Sequence, residues 1–242
     1  MAEVTGQRSL DQERIANFYH DLFVKAQAED FTKICAPGLD RTKVVVDVGG
    51  GCGFFAAAIA RDLALPVRVV DADPVSVEAA KQVGVDAIVG DALQWQPMGD
   101  ESSACFNLIL HHLVGGGEDE TTRLQMRALE RWKGRAVRLF INEYIYDSWL
   151  TEASGRLIYG ITASSLLSSL AGFVSRFVPS LRANTFGVGV RFRGEHEWRS
   201  LFEKHGWRVA EYSRGMEEFI SLPRRLLLIR SCRRDSFVLV EA

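Results

Sequence analysis

The sequence predicts an α/β fold in which a doubly wound, mostly parallel sheet carries N-terminal helices and a helical cap insertion. The β-branched run Val44-Val45-Val46 leads directly into a glycine-rich turn. Strand-like and helix-like segments then alternate, which is typical of parallel strands joined by helices. Acidic residues stand at or just beyond the ends of the first three strands, where a doubly wound sheet binds its ligands. The strands are expected near residues 44–48, 67–71, 85–89, 105–110, 136–143, 207–212 and 236–241.

The glycine-rich turn is the most specific motif of the chain. Glycine adopts positive φ readily and has no Cβ, so such a turn lets the backbone approach a ligand closely. A dinucleotide-binding G-x-G-x-x-G loop requires glycine where Phe54 stands, which argues against a nicotinamide-dependent oxidoreductase. The pattern is instead D-x-G-x-G-x-G, formed by Asp47, Gly49, Gly51 and Gly53. It resembles the first motif of the class I S-adenosylmethionine-dependent methyltransferases.

The second predicted strand ends in Asp71-Ala72-Asp73-Pro74. In a doubly wound fold, an acid at this position accepts hydrogen bonds from the ribose hydroxyls of the ligand. Asp73 precedes a proline and a helical run that ends before Gly84, which is the pattern of a helix N-cap. We therefore assign the ribose to Asp71, with Ala72 beside it in the cofactor site, and the helix cap to Asp73.

The third strand continues the resemblance, because it ends in the turn Gly90-Asp91-Ala92. In the family, the acid of this turn accepts a hydrogen bond from the adenine amino group, which implies that Asp91 and Ala92 bind adenine. The resemblance covers about residues 44 to 143. It implies a seven-stranded Rossmann-like sheet with an antiparallel final strand, S-adenosylmethionine as cofactor and methyl transfer as activity.

Candidate catalytic residues follow the fourth and fifth strands. His111 and His112 come after the fourth strand, and an imidazole is suited to take a proton from a substrate hydroxyl. In an extended chain their side chains are expected on opposite faces. The segment Ile109-Leu110-His111 is similar to the one that carries the catalytic histidine in plant-type O-methyltransferases, which favours His111. Glu143, at the end of the fifth strand, is expected to orient its ring.

Other interpretations of this edge stay open. In one interpretation the histidines pack beneath the cofactor and have no catalytic role. In another, Glu143 is a helix cap or a solvated acid. Methyl transfer also proceeds by positioning alone, because the sulfonium is already activated. Asn107 stands where many family members carry aspartate, so one carboxylate is lost, although the amide can still hold the turn by hydrogen bonds.

We expect one domain with a lid at each flank of the cofactor-binding core. An apolar helical face that includes Tyr19 forms the first lid, and a cap helix with Leu166 and Phe173 forms the second. These three residues are predicted to contact a substrate with substantial apolar surface. The uncharged stretch 157–175 contains several serines and glycines, which favours an amphipathic helix over a membrane span. The predicted parts are the lid 1–42, the core 43–146, the cap insertion 147–194 and the C-terminal part of the sheet, 195–242.

Composition excludes several other classes of function. The net charge is −2, and the Asn/Asp-Pro-Pro-aromatic signature of nucleobase methylation is missing after the fourth strand, so we expect no nucleic-acid partner. Four scattered cysteines give no metal site and no disulfide framework, and the N-terminus lacks a signal sequence, which favours the cytoplasm. Surface positions are expected for Arg191, Arg193 and Trp198, with substrate contact as the alternative. A solvated face is expected for Arg224, Arg225, Arg230, Arg233 and Arg234, with anion binding as the alternative. The oligomeric state is left open.

These observations lead to one preferred function and one alternative. The preferred function is S-adenosylmethionine-dependent methyl transfer to a small, partly apolar organic molecule in biosynthesis, with oxygen favoured over nitrogen or carbon. The alternative is a methyltransferase-like protein that binds cofactor without turnover and acts through a partner, which the departure at Asn107 motivates.

Overall fold

The computed structural model describes residues 21–135, 137–177 and 189–242. Within these ranges, seven strands form one sheet in the order β3-β2-β1-β4-β5-β7-β6. Strands β1 to β5 are parallel, and β7 runs antiparallel to both β5 and β6. The predicted seven-stranded, mostly parallel sheet is confirmed. The strands are β1 Val44–Val48, β2 Val67–Asp71, β3 Asp86–Val89, β4 Glu101–Asn107, β5 Arg138–Ser148, β6 Trp207–Ser213 and β7 Ile229–Glu241.

Helices cover both faces of the sheet. On one face, Val45 and Phe140 pack with Phe31, Phe55 and the first three helices. On the other face, a second core is built on the fourth and seventh helices. Both faces are buried, so β1 and β2 are almost continuously apolar rather than alternating. The helices are α1 Asp21–Asp30, α2 Phe54–Leu63, α3 Pro74–Gln82, α4 Glu118–Glu130, α5 Ala153–Ala163, α6 Ser165–Phe177, α7 Glu195–Lys204 and α8 Leu222–Arg225.

Strand β4 begins and ends earlier than the predicted range 105–110. Its first residues, Glu101, Ser102 and Ser103, are polar but buried, because each has a partner. Glu101 accepts hydrogen bonds from the backbone of residues 98 and 99, and Ser103 donates to a backbone carbonyl of β5. The strand ends at Asn107, the next residue Leu108 adopts a φ of 54°, and a 3-10 turn follows over Leu110–His112.

Strand β7 begins at Ile229, shortly after α8 ends at Arg225, and is therefore longer than the predicted range 236–241. The apolar pattern is interrupted by Arg233 and Asp235, which are fully buried. Arg233 forms ion pairs with Asp147, Glu195 and Asp235. The prediction that the C-terminal arginines lie on a solvated surface is therefore wrong for Arg233.

The cap insertion follows β5 and contains α5 and α6. The hydroxyl of Ser148 contacts that of Ser154 at 2.5 Å and fixes the start of α5 to the end of β5. After the insertion the chain returns beside β5, where the N–H of Tyr146 donates to the carbonyl of Arg193 at 3.0 Å. No helix among the described residues is long and apolar enough to cross a membrane. The division into lid, core, cap and C-terminal part stays a prediction.

Helix α3 begins as the sequence predicts. The Asp73 carboxylate accepts hydrogen bonds from the N–H groups of Val75 and Ser76, both at 3.2 Å, and from the Ser76 hydroxyl at 2.8 Å. Pro74 occupies the first helical position, where the missing N–H group has no cost. Asp73 is therefore the N-cap of the helix.

Replacing Asp73 with alanine should lower the free energy of unfolding by about 1 kcal/mol, because two helix N–H groups lose their acceptor. Urea denaturation measures this loss. Asp73→Ser, which restores a capping oxygen, should recover most of it. Equal stability of the alanine variant and the unchanged protein would contradict the assignment.

Candidate functional site

The glycine turn between β1 and α2 lies at the carboxyl edge of the sheet. Gly49 has a φ of 70°, and a Cβ on this residue would overlap the side chain of Ile109, so only glycine fits. Gly50 is confined in another way, since a Cβ there would overlap the Asp47 carboxylate. The turn therefore lies directly on the end of β1 and carries the backbone to the start of α2.

Asp71 holds the glycine turn against the end of β2. Its carboxylate accepts from the N–H groups of Gly51 and Asp73, both at 2.9 Å. Burial raises the pKa of Asp71, and these backbone hydrogen bonds oppose the shift. A carboxylate offers about four lone-pair sites, so acceptor capacity remains beyond the two backbone donors. Ribose binding by Asp71, with Ala72 beside it, stays a prediction.

Asp47 and Asn107 form a polar pair beneath the turn. The Asn107 amide donates to Oδ1 of Asp47 at 3.0 Å, as expected for an amide that holds this place. Oδ2 of Asp47 and Oδ1 of Asn107 are buried without a hydrogen-bond partner among the described residues. Burial raises the pKa of Asp47 to about 7, the Asn107 hydrogen bond opposes this shift, and the charge of Asp71 adds to it.

Asp91 organises the turn after β3. Its carboxylate accepts from the N–H of Leu93 at 2.8 Å and from the side-chain amide of Gln94 at 3.0 Å. The neighbouring Ala92 is buried. The turn lies one strand beyond Asp71 along the same edge, because β3 pairs with β2. The adenine contact of Asp91 and Ala92 stays a prediction.

Glu143 joins the end of β4 to the middle of β5, because β5 continues to Ser148 and is longer than the predicted range 136–143. Its carboxylate is fully buried and accepts from the N–H of Leu110 at 2.6 Å. The second oxygen lies 2.7 Å from Nδ1 of His111, so the structure brings Glu143 and His111 together. A carboxylate accepts hydrogen bonds, so this contact favours a proton on Nδ1, and in the neutral ring Nε2 then carries the lone pair. This arrangement presents His111 as a proton acceptor through Nε2.

The two histidines do not lie on an extended strand. They occupy the 3-10 turn Leu110–His112, and their rings are 4.2 Å apart. The expectation that successive side chains point to opposite faces of the sheet is therefore wrong, because β4 ends at Asn107. Burial lowers the pKa of His112 well below its ordinary value, and the neighbouring His111 adds to this effect.

Three aromatic residues beside His111, here called the aromatic wall, escaped the sequence analysis. Phe192 stacks on His111 with ring centroids 4.8 Å apart and on Tyr146 at 4.4 Å. Tyr144 meets His111 edge-on at 6.1 Å. The alternation of Tyr144 and Tyr146 beyond Glu143 was an available signal, because alternate residues of a strand share a face. Phe192 gave no signal, since its place depends on the fold of the insertion.

Buried ion pairs fix the aromatic wall to the rest of the site. The N–H of Arg191 donates to the carbonyl of His111 at 2.9 Å, and its guanidinium pairs with Glu118 and Glu197. Arg193 pairs with the same two acids. Both arginines are buried, as is Trp198, so their predicted surface location is wrong. Phe192 lies between these two anchored residues.

The predicted substrate residues have different outcomes. Leu166 is 82% exposed and Phe173 is 56% exposed, and no described contact brings either of them to His111. Tyr19 lies outside the described residues. Substrate binding by all three stays a prediction. Among the described residues, no cluster of three or more histidine, cysteine or acidic side chains is arranged to hold a metal ion.

The neutral state of His112 predicts a pH dependence of stability. In the unfolded chain His112 binds a proton near pH 6.5, whereas in the folded protein it does not. The unfolded state thus binds more protons below that pH, so the free energy of unfolding decreases as the pH falls below 6.5. His112→Gln should reduce this decrease between pH 6.5 and 5, measured by urea denaturation.

The matched control is His196→Gln on the exposed surface of α7. This variant should show the same dependence of the free energy of unfolding on pH as the unchanged protein. Equal slopes for the His112 variant and the unchanged protein would contradict the assigned burial.

Comparison with known proteins finds a short match in sequence. Over 75 residues, the chain is 36% identical to trans-aconitate 2-methyltransferase of Mycobacterium tuberculosis (strain ATCC 25177 / H37Ra) and of Mycobacterium bovis (strain BCG / Tokyo 172 / ATCC 35737 / TMC 1019). The match covers 31% of this chain and 29% of those proteins, so the chain spans less than a third of their length. No protein-family model matches the chain.

Solved structures share the fold over most of the chain. An S-adenosylmethionine-dependent methyltransferase from Archaeoglobus fulgidus has a TM-score of 0.57 at 11% identity, covering 96% of this chain and 100% of that one. Geranyl diphosphate C-methyltransferase from Streptomyces coelicolor A3(2) has a TM-score of 0.56 at 11% identity, and the match covers 90% of this chain and 79% of that one. The cyclase SpnF has a TM-score of 0.56 at 14% identity, and the match covers 91% of this chain and 81% of that one. These identities show the fold alone, and a fold does not fix the reaction.

Proposed function

This chain has the fold of the class I S-adenosylmethionine-dependent methyltransferases, as predicted, and we propose that it transfers the methyl group of S-adenosylmethionine to a small, partly apolar organic acceptor. The observation that carries the proposal is the shared edge of one sheet. The D-x-G-x-G-x-G turn and Asp71 lie at the ends of β1 and β2. His111, oriented by Glu143, lies at the ends of β4 and β5. An open α/β sheet binds its ligands at this edge.

The residues at the ends of β1 and β2 suit the proposed cofactor. S-adenosylmethionine supplies an activated methyl group on a sulfonium, together with an amino acid group and a ribose. Oδ2 of Asp47 and Oδ1 of Asn107 lack partners, and an ammonium group would supply the missing donors. Asp71 would accept from the ribose. Two structural neighbours, from Streptomyces coelicolor and Thiobacillus denitrificans, were crystallised with S-adenosylhomocysteine, which supports the same cofactor here.

The residues at the ends of β4 and β5 suit an acceptor with an apolar body and a hydroxyl. The aromatic wall offers a flat apolar surface beside the free lone pair of His111 Nε2. S-adenosylmethionine held at the ends of β1 and β2 would supply the methyl group and leave as S-adenosylhomocysteine, and Nε2 of His111 would take the proton that the acceptor hydroxyl loses on methylation. The Glu143 carboxylate stabilises the resulting imidazolium. This base favours oxygen as the methylated atom over nitrogen or carbon.

A second candidate function is cofactor binding without methyl transfer, in a protein that acts through a partner. Two observations favour it: Asn107 replaces a family aspartate, and the cyclase SpnF shares the fold without being named a methyltransferase. Transfer of a radiolabelled methyl group from S-adenosylmethionine to any component of a metabolite extract separates the two functions. A cytoplasmic location and a role in biosynthesis stay proposals of the same kind.

The raised pKa of Asp47 gives a test of the cofactor site. Below pH 7 the carboxyl is protonated and no longer attracts an ammonium group, so the affinity for S-adenosylhomocysteine should fall as the pH decreases. The limiting slope is about tenfold per pH unit well below 7. Isothermal titration calorimetry between pH 5.5 and 8.5 measures this dependence.

Asp47→Asn should bind the cofactor weakly, with a nearly constant affinity over the same range. Asp119→Asn, on the exposed first turn of α4, removes the same charge away from the site and should leave the dependence intact. A flat profile for the unchanged protein, or a steep one for Asp47→Asn, would show that the ammonium binds elsewhere.

The proposed base gives a test of the acceptor site. His111→Ala should lower kcat for radiolabel transfer by ~10²–10⁴-fold, because the hydroxyl proton loses its acceptor. Cofactor affinity, measured by calorimetry, should stay nearly unchanged. His196→Ala is the control for loss of an exposed imidazole. Unchanged turnover in His111→Ala would leave positioning as the mechanism and reduce His111 to packing.

A further inference from the structure

Two arginines next to the aromatic wall form no direct ion pair with a described acid. Arg224 lies in α8 and Arg234 in β7, and neither forms an ion pair with any residue in the described part of the chain. The fully buried arginines behave differently, because residues 191, 193 and 233 each pair with two or more acids. A guanidinium in a partly buried, aromatic environment without a counter-ion is a candidate for ligand binding.

Arg224 is half-buried and reaches the far end of the aromatic wall. One terminal nitrogen donates to the Tyr146 hydroxyl at 3.0 Å and lies 3.7 Å from Sγ of Cys232. The guanidinium carbon is 6.0 Å from the centre of the Tyr146 ring. A guanidinium has five N–H donors, so these contacts leave donors that no described residue accepts.

Arg234 is placed by its neighbours in the sheet. It lies directly opposite Tyr144 in the β5–β7 pair, so the two side chains share a face. Its guanidinium lies 4.1 Å from the ring centre of Phe23 and 6.0 Å from that of Tyr144. No described residue accepts a hydrogen bond from it. Stacking on aromatic rings fixes the plane of a guanidinium and leaves its N–H edge for a ligand.

Both charges act on one hydroxyl group, that of Tyr144. Burial raises the pKa of Tyr144 to about 12, Glu218 adds to this shift, and Arg234 and Arg224 oppose it. Tyr144 is therefore a hydroxyl donor at any physiological pH. Glu218 also acts on Arg224 but forms no direct ion pair with either arginine. Two guanidinium groups near a single described carboxylate suit a small anion such as a carboxylate.

This group of donors is continuous with the proposed reaction site. The Tyr144 ring is 6.1 Å from His111, and Phe192 stacks on both His111 and Tyr146. An anion held by the arginines would therefore extend its apolar body along the aromatic wall towards Nε2 of His111. The charged end of such a molecule and its reactive hydroxyl would lie at opposite ends of one surface.

We propose that the acceptor carries a carboxylate, and that Arg224, Arg234 and the Tyr144 hydroxyl bind it at the end of the aromatic wall away from His111. This inference rests on the proposed function, because it identifies the class of molecule that the acceptor site takes. The carboxylate is an anchor that does not react. Specificity then comes from the distance between the anchor and the hydroxyl at His111.

A pair of probes that differ in charge tests the anchor. We expect 3-phenylpropionate to bind the protein loaded with S-adenosylhomocysteine about tenfold more tightly than 3-phenylpropionamide, measured by isothermal titration calorimetry. Arg224→Gln and Arg234→Gln should each weaken binding of the acid about tenfold or more and leave the amide unchanged. Arg208→Gln, at the other end of the sheet, removes an exposed charge and should change neither affinity.

Control measurements on the variants decide whether a loss of binding comes from the missing arginine. Thermal unfolding establishes that the glutamine variants fold, and Arg224→Lys and Arg234→Lys, which keep the charge without the forked donor geometry, should bind the acid with intermediate affinity. Equal binding of acid and amide, no binding of the acid at millimolar concentration, or displacement of the acid by equimolar inorganic phosphate would overturn the inference.

The same titrations, repeated on the protein without S-adenosylhomocysteine, separate this inference from the proposed function. If the protein prefers the acid through Arg224 and Arg234 but does not bind S-adenosylhomocysteine, the carboxylate site is supported and the methyltransferase assignment is contradicted. If the protein binds the cofactor and transfers its methyl group but shows no preference for the acid, only the carboxylate site is contradicted.

Discussion

The buried carboxylate of Glu143 connects the sheet to every part of the proposed acceptor site. It accepts from Leu110 N–H and His111 Nδ1, and so fixes the turn after β4 against the end of β5. The carbonyl of His111 in turn accepts from Arg191, which joins the segment that returns from the cap insertion. Loss of this carboxylate would leave buried donors without partners, each at a cost of about 1–3 kcal/mol. The position of Phe192 depends on the same chain of contacts.

The order of strands separates two kinds of chemistry along one edge. The ends of β1 and β2 carry Asp47 and Asp71, whose carboxylates lie beneath and beside a turn that only glycine can form. The second half of β5 carries Tyr144 and Tyr146, and Arg234 of β7 and Arg224 of α8 lie beside them without a direct ion pair to a described acid. Strand β4 lies between them and delivers His111. A methyl donor on one side and an acidic acceptor on the other would therefore meet at the imidazole.

Local chemistry made much of the fold predictable from the sequence. Strands β1 and β2 are apolar on both faces, and Asp73-Pro74 is a complete helix start, so neither depends on distant residues. The start of β4 and the first half of β7 were missed because their polar residues are buried against partners far away in sequence. Arg233 of β7, for example, pairs with Asp147, which is 86 positions distant. Glu143 was found because the predicted fifth strand ended there, although β5 continues to Ser148. Phe192 depends on the path of the insertion, which no local pattern encodes.

The state of the His111 ring tests the central claim most directly, namely that Glu143 holds this imidazole ready to accept a proton. Long-range proton–nitrogen NMR correlation of the ring distinguishes the two neutral tautomers. The hydrogen bond at 2.7 Å predicts a protonated Nδ1 and an unprotonated Nε2. Glu143→Gln should weaken this preference, while His196 keeps its signals. A protonated Nε2 in the unchanged protein would contradict the account, because neither the hydrogen bond to Glu143 nor the proton acceptor would then exist.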